Sequence, residues 1–247
     1  MDIKEFFEIN NKAAIAFSGG VDSVFLLHAA CEAGADVTAY YVKSQFQPEF
    51  EFNDAKELAG KIGAKMRILE VDALADPRVR ANPKNRCYYC KQHIMGAIIE
   101  AAREDGYGFI CDGTNASDDA DDRPGYKALQ EFGIRSPLRE CGLTKAKIRV
   151  LSREAGLPTW NKPAYACLAT RVPAGEEITN AKLEITEKAE GELFRMGFTD
   201  FRARMRGDAA LLQFRADQHE EAVSRLDEIR SAIGGLYSDV RIDDLTR

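Results

Sequence analysis

The chain has 247 residues, 45% of them hydrophobic, and a formal net charge of −6. That length and apolar content suit one large domain, or one domain with a small appendage, and the acidic balance argues against a nucleic-acid binder working through a general basic surface. No apolar run approaches the ~18 residues of a membrane span, and the charged start Met1-Asp2-Ile3-Lys4-Glu5 lacks the apolar stretch of a secretion signal. A cytoplasmic protein is expected, with its six cysteines serving as thiols, metal ligands or redox groups rather than structural disulfides.

Residues 1–12 have the pattern of a short amphipathic helix. The apolar run 13–17 suits a buried strand. Ser18-Gly19-Gly20-Val21-Asp22-Ser23 follows, and a helix is expected from there to about Ala33, stopped by Gly34. Strand, glycine turn and helix together aim backbone N–H groups at an anion. Gly19 and Gly20 carry no Cβ, so the backbone can approach a phosphate closely, and Ser18 and Ser23 add hydroxyls. Asp22 beside a phosphate brings like charges together unless a divalent cation lies between them. The stretch therefore reads as a phosphate cradle that works with Mg²⁺. It is not a Walker A loop, because that spacing is absent and the loop holds no lysine. The competing reading is a tight turn with a capped helix.

The β-branched and aromatic residues of 36–42 predict a second strand. Residues 49–62 place Phe52, Ala55, Leu58, Ala59 and Ile62 on one helical face, and 65–71 is a third strand. This βαβαβ alternation predicts a parallel sheet covered on both faces. A polar loop follows, then a helix headed by Arg86-Cys87-Tyr88-Tyr89-Cys90-Lys91 and running to about Glu104. Residues 107–112 read as a fourth strand ending in Gly113-Thr114-Asn115, with an acidic stretch, 118–122, behind it. Ligands of open α/β sheets bind at the carboxyl ends of strands, so the Gly113 turn and the Ser18 loop should open onto one edge. Residues 134–138 read as a fifth strand, and Thr144 as the cap of a helix through Glu154. Five glycines and prolines break up 156–177 into a long functional loop and linker. Beyond it, 176–196 and 217–233 read as helices, and 201–205, 209–214 and 237–242 as strands. Two domains are expected, at 1–174 and 175–247, the second a small α+β unit for substrate binding or oligomerisation.

Cys87 and Cys90 form a CxxC, and Cys167 lies in Ala166-Cys167-Leu168-Ala169. Spacing leaves three readings open. Three cysteines can hold an iron–sulfur cubane with one iron free for sulfide or substrate; a zinc site could recruit His93; or the pair is a redox disulfide. Cys31 and Cys111 read as packing residues. Arg202, Arg204 and Arg206 alternate along a predicted strand, which puts three guanidiniums on one face and suits a bound phosphate. A solvated face is the plain alternative.

The motif SGGxDS at Ser18–Ser23 resembles the pyrophosphate (PP) loop of ATP pyrophosphatases. With Asp112-Gly113-Thr114-Asn115, Arg123-Pro124-Gly125, Ser136-Pro137-Leu138, Leu143-Thr144-Lys145, Gly156-Leu157-Pro158-Thr159-Trp160 and Ala166-Cys167-Leu168-Ala169, the series resembles the LarE sulfur transferases of nickel-pincer nucleotide cofactor synthesis. The resemblance covers about residues 12–215. It implies a Rossmann-like, adenine nucleotide alpha hydrolase-like sheet. It also implies adenylation of a pyridinium-3,5-dicarboxylate mononucleotide by ATP and Mg²⁺, followed by replacement of AMP by sulfur, twice. By the same resemblance, Ser18–Ser23, Gly113, Thr114 and Asn115 would bind ATP, and Asp22 would hold magnesium. Cys87, Cys90 and Cys167 match members that use a [4Fe-4S] cluster fed by a sulfide source, and Arg202 and Arg204 match a pair that holds the substrate's phosphate. A homo-oligomer is implied. The chain departs from the pattern at Gln213, where a metal-binding glutamate is expected, at Asn161, where aspartate is expected, and at Thr170, which replaces serine. Two rival readings are a tRNA thiolation enzyme and a non-catalytic adenine-nucleotide sensor with a zinc knuckle.

Overall fold

The computed structural model describes residues 1–119 and 124–246; Asp121 and Asp122 of the acidic stretch, and Arg123, lie outside them. Two compact units emerge, one of residues 1–73 with 85–162, the other of 74–84 with 163–247.

In the first unit, α1 (Ile3–Ile9) is closed by a capping box between Asp2 and Glu5. The chain then enters β1 (Lys12–Ala16), α2 (Val21–Glu32), β2 (Asp36–Lys43), α3 (Glu49–Ile62) and β3 (Lys65–Glu70). All sheet pairings of this unit are parallel, in the order β3-β2-β1-β4, where β4 is Ile110–Cys111, which is the Rossmann-like α/β sheet expected. Alternation along the strands explains why both faces are covered. Ala13 and Ile15 of β1, with Val37, Ala39 and Tyr41 of β2, join one core beneath α1, α2 and α3. Ala14, Tyr40 and Val42 point the other way, into a second core. α2 is buried on most sides through Val24, Phe25, Leu26, Leu27 and Ala30, as a helix enclosed by other elements must be.

After α4 (Pro77–Arg80), which belongs to the second unit, α5 (Arg86–Glu104) crosses the far face of the sheet and delivers the chain to β4 (Ile110–Cys111) on the other side of β1. Met95, Ile98 and Ala102 of α5, with Leu129 of α6 (Pro124–Glu131), build the second core. The order of strand addition reverses at β1, with β2 on one side and β4 on the other, and such switch points are where open α/β sheets bind ligands.

The fourth strand is shorter than the pattern of 107–112 suggests. The expected strand at 134–138 is only a single bridge, Arg135 to Cys111. Pro137 instead starts α7 (Pro137–Glu140), where its missing N–H and fixed φ favour a helix's first turn. α8 (Lys145–Glu154) follows, with the Thr144 hydroxyl accepting from the Lys147 N–H as expected of its cap.

In the second unit, α9 (Asn180–Arg195) precedes β5 (Arg202–Arg206) and β6 (Ala209–Gln213), an antiparallel pair; α10 (Ala216–Ser224) and α11 (Leu226–Ile233) lead to β7 (Val240–Ile242), parallel to β6. The single helix expected over 217–233 is thus two. Phe194, Phe198, Phe201 and Phe214 form the aromatic heart of this unit, with ring centroids 4.7–5.9 Å apart. The 156–177 stretch carries two short 3₁₀ turns, Pro158–Asn161 and Leu168–Arg171. No helix among the described residues is long and apolar enough to cross a membrane.

Candidate functional site

The Ser18–Ser23 loop leaves β1 and opens α2. Gly19 has φ of +73°, a conformation that disfavours any side chain. A Cβ there would also lie 3.0 Å from Ala55 Cβ on α3. The loop is braced across itself: the Ser23 hydroxyl accepts from the Ser18 N–H at 3.2 Å, donates to the Gly20 carbonyl at 3.2 Å and meets the Ser18 hydroxyl at 3.1 Å. Gly20 is the N-cap of α2, and no side chain caps that helix. Its first-turn N–H groups thus lack a side-chain cap, the condition under which a helix N-terminus can take an anion.

The Gly113 turn lies on the same edge, as expected, and touches this loop. A Cβ on Gly113 would lie 3.0 Å from the Ser23 nitrogen and 3.3 Å from its Cα, so only glycine allows the two turns to touch. The turn is held from below by Asp112, which accepts from the Thr114 hydroxyl at 2.5 Å and the Ser136 hydroxyl at 2.7 Å. Asn115 is buried, and its Oδ1 accepts from the Ser117 N–H at 2.8 Å. The Ser117 hydroxyl in turn accepts from the Lys145 N–H at 2.9 Å, which fixes the start of α8 beside the turn.

That connection brings in a residue to which motif reading assigned no role. The Lys145 ammonium donates to Asp22 Oδ2 at 2.5 Å, across 123 positions of sequence. The loop lacks a lysine of its own, and the fold supplies one. Asp22 Oδ1 is buried with no hydrogen-bond partner. Burial pushes the Asp22 carboxyl above its usual range, and the Lys145 hydrogen bond and charge only partly offset this. A buried carboxylate oxygen with nothing to accept from is the donor that a divalent cation takes. Two more cations of the same unit are held by nearby segments. Arg149 donates to the carbonyls of Trp160 and Lys162 at 2.5 and 3.0 Å, and Lys162 pairs with Glu51 at 3.1 Å and Asp54 at 2.9 Å on α3, next to the Ala55 that abuts Gly19.

Cys87 and Cys90 lie at the start of α5, three residues apart and so on one side of it. Cys87 is exposed, and Arg86 Nη2 lies 3.7 Å from its sulfur. Cys167 belongs to the second unit. Among the described residues, no three His, Cys, Asp or Glu side chains are gathered as a metal site.

In the second unit Arg202 is 4% exposed, and donates to the carbonyls of Phe201 at 2.7 Å and Ala164 at 2.9 Å. Arg204 is half-buried, and donates to the Thr170 carbonyl at 3.0 Å and to Gln213 Oε1 at 2.5 Å. Arg206 is exposed. The three arginines share a face, graded from buried to open, and the first two hold the backbone on either side of Cys167.

The chain is 34% identical over 204 residues to the pyridinium-3,5-bisthiocarboxylic acid mononucleotide synthase of Lactiplantibacillus plantarum, covering 82% of this chain and 74% of that protein. The chain belongs to the LarE family. It is 37% identical over 223 residues to an uncharacterized protein of Synechocystis sp., slr1717, covering 90% of this chain and 83% of that one. PP-loop relatives also match the LarE-type chain. The tRNA-specific 2-thiouridylase MnmA of Fervidobacterium nodosum is 26% identical over 126 residues, or 41% of this chain and 36% of that enzyme. Compared with models of known protein families, the chain matches none.

Proposed function

We propose that this chain is an ATP-dependent sulfur transferase that converts the carboxylates of pyridinium-3,5-dicarboxylate mononucleotide into thiocarboxylates. The observation that carries the reading is the similarity, over most of both chains, to a synthase of the bisthiocarboxylic mononucleotide. The geometry of the first unit supports the activation half. A carboxylate oxygen of the substrate attacks the α-phosphorus of ATP, the bond to the β-phosphate oxygen breaks, and pyrophosphate leaves. The resulting acyl-adenylate has a good leaving group, and replacing AMP by sulfur gives the thiocarboxylate.

The chain's own residues have definite parts. The uncapped N–H groups of Val21, Asp22 and Ser23 face the pyrophosphate, the Ser18 and Ser23 hydroxyls keep the loop closed, and the Lys145 ammonium adds positive charge where negative charge develops. Gly113, Thr114 and Asn115 form the opposite wall for the nucleotide. Asp22, with its unpartnered buried oxygen, would hold Mg²⁺, which supplies charge that offsets the leaving pyrophosphate. Cysteine thiolates are the donor type an iron–sulfur cubane takes. By the resemblance to three-cysteine members of the family, Cys87, Cys90 and Cys167 would hold a [4Fe-4S] cluster, and that group would supply the sulfur. Arg204 and Arg202 provide the positive field for the substrate's phosphate, and residues 175–247 serve acceptor binding and self-association.

The test is pyrophosphate release from ATP on adding the dicarboxylate mononucleotide. Release dependent on that acceptor is expected; its absence at saturating ATP and Mg²⁺ refutes the reading.

A further inference from the structure

Glu190 lies on α9, on a helix whose neighbours Glu184, Glu187 and Glu192 are ordinary surface charges by sequence. The structure buries it instead: its side chain is 2% exposed and that of its partner Arg171 is 0% exposed. Arg171 Nε and Nη2 donate to the two Glu190 oxygens at 2.7 and 2.9 Å, a bidentate pair. The same carboxylate also accepts from the Tyr165 hydroxyl at 2.5 Å and from the Ala203 N–H of β5 at 2.9 Å. Every partner of Glu190 is a donor.

The far side of Arg171 is directed at Cys167. Its Nη1 donates to the Ala166 carbonyl at 2.8 Å, reaches the Cys167 carbonyl at 3.4 Å and donates to the Thr170 hydroxyl at 2.8 Å. The Thr170 N–H and hydroxyl both donate back to the Cys167 carbonyl, at 3.0 and 2.9 Å. Tyr165 lies under the guanidiniums of Arg171 and Arg202, at 4.7 and 5.4 Å from its ring centroid. The carbonyls before and at Cys167 are thus tied, through one guanidinium, to a carboxylate anchored on a helix and a strand. An apolar pair of equal volume could fill this space, and buried ion pairs often gain little over such a replacement. It could not hold the Ala166 and Cys167 carbonyls.

We infer that Glu190 is a positioning residue for Cys167, acting through Arg171 and Tyr165 to fix the backbone from which the thiol projects. The inference rests on the reading of Cys167 as a sulfur-handling residue. Glu190→Gln is the discriminating change, because an amide presents two N–H donors to a set of partners that are all donors.

The experiment uses the full-length chain before any treatment with iron and sulfide. Alkylation by iodoacetamide is followed at each cysteine by peptide mass spectrometry, with Cys87 and Cys90 of the other unit as internal references. In Glu190→Gln the Cys167 rate is expected to change by about threefold or more while the reference rates hold. In the turnover assay, kcat for thiocarboxylate formation falls by about tenfold or more with the KM for ATP unchanged, since a small misplacement of a reacting group acts on the chemical step. An unchanged Cys167 rate in a chain that folds as the wild type overturns the inference, whatever the turnover. If Glu190→Gln does not fold, Tyr165→Phe, which deletes one donor to Glu190, is judged by the same rates. If the wild type releases no pyrophosphate with the dicarboxylate, the proposed function fails, and the alkylation rates still decide the role of Glu190.

Discussion

Gly19 and Gly34 share the same φ, +73°, yet only one of them faces a neighbour. A Cβ at Gly34 meets nothing within 4 Å, whereas at Gly19 it lies 3.0 Å from Ala55 Cβ and 3.2 Å from Ala55 Cα. Gly34→Ala should therefore lose only the ~1–2 kcal/mol of a left-handed non-glycine residue. Gly19→Ala adds the forced separation of the loop from α3, ~1–3 kcal/mol for overpacking, giving a total of ~2–5 kcal/mol. The sole tryptophan, Trp160, lies in the first unit, so its fluorescence in a urea titration follows the unfolding of that unit. Ala55→Gly removes the nearer contact, and should show coupling of ~0.5–3 kcal/mol with Gly19→Ala beyond the ~1 kcal/mol of a helical glycine. The KM for ATP should rise in Gly19→Ala and not in Gly34→Ala. Equal midpoint shifts for the two alanine variants, or no coupling with Ala55→Gly, would show that close approach to α3 does not shape the loop.

Asp22 carries a pH signature. Its folded value lies above the ordinary 3.8, so the stability linked to its proton is complete below 3.8 and lost as pH rises through the folded value. At neutral pH, Asp22→Asn should be at least as stable as the wild type while pyrophosphate release falls by about 10²-fold; a thermal melt showing clear destabilisation contradicts the burial argument. Lys145→Met removes the main influences that lower Asp22, so the acid limb of the pH–rate profile should move to higher pH, and an unmoved limb would uncouple the pair. Under the proposed function, Cys87→Ala should reduce bound iron after anaerobic reconstitution, measured by iron and sulfide analysis; full iron content and full multi-turnover activity with added sulfide would refute a role for Cys87 in the proposed cluster.

The parts of the site that could be read in the sequence are those made by neighbours in the chain. The Ser18–Ser23 loop is a strand end, a glycine turn and a helix start within a few residues, and periodicity places β1, β2 and α3 around it. That the Gly113 turn shares an edge with this loop followed from both turns lying at the carboxyl ends of parallel strands. Lys145 was a motif residue without a task, because nothing local says that α8 begins beside Asp22. Glu190 was invisible for the opposite reason. On an otherwise charged helix it reads as surface, and only the arrival of Arg171, Tyr165 and the Ala203 N–H from elsewhere makes burial tolerable. Ser136-Pro137 did carry a local signal, serine followed by proline as at a helix start, which the β-like reading of 134–138 overrode.

Gln213 joins two opposite charges: its amide oxygen accepts from Arg204 Nε at 2.5 Å, and its amide nitrogen donates to Asp243 Oδ2 at 2.7 Å. An amide can address a cation with one end and an anion with the other, which a carboxylate cannot do. Replacing that NH₂ by oxygen would set two carboxylates at hydrogen-bonding distance, where they must share a proton or capture a cation. One atom thus decides whether this corner of the second unit is neutral wiring that steadies Arg204 or an ion trap that competes for it.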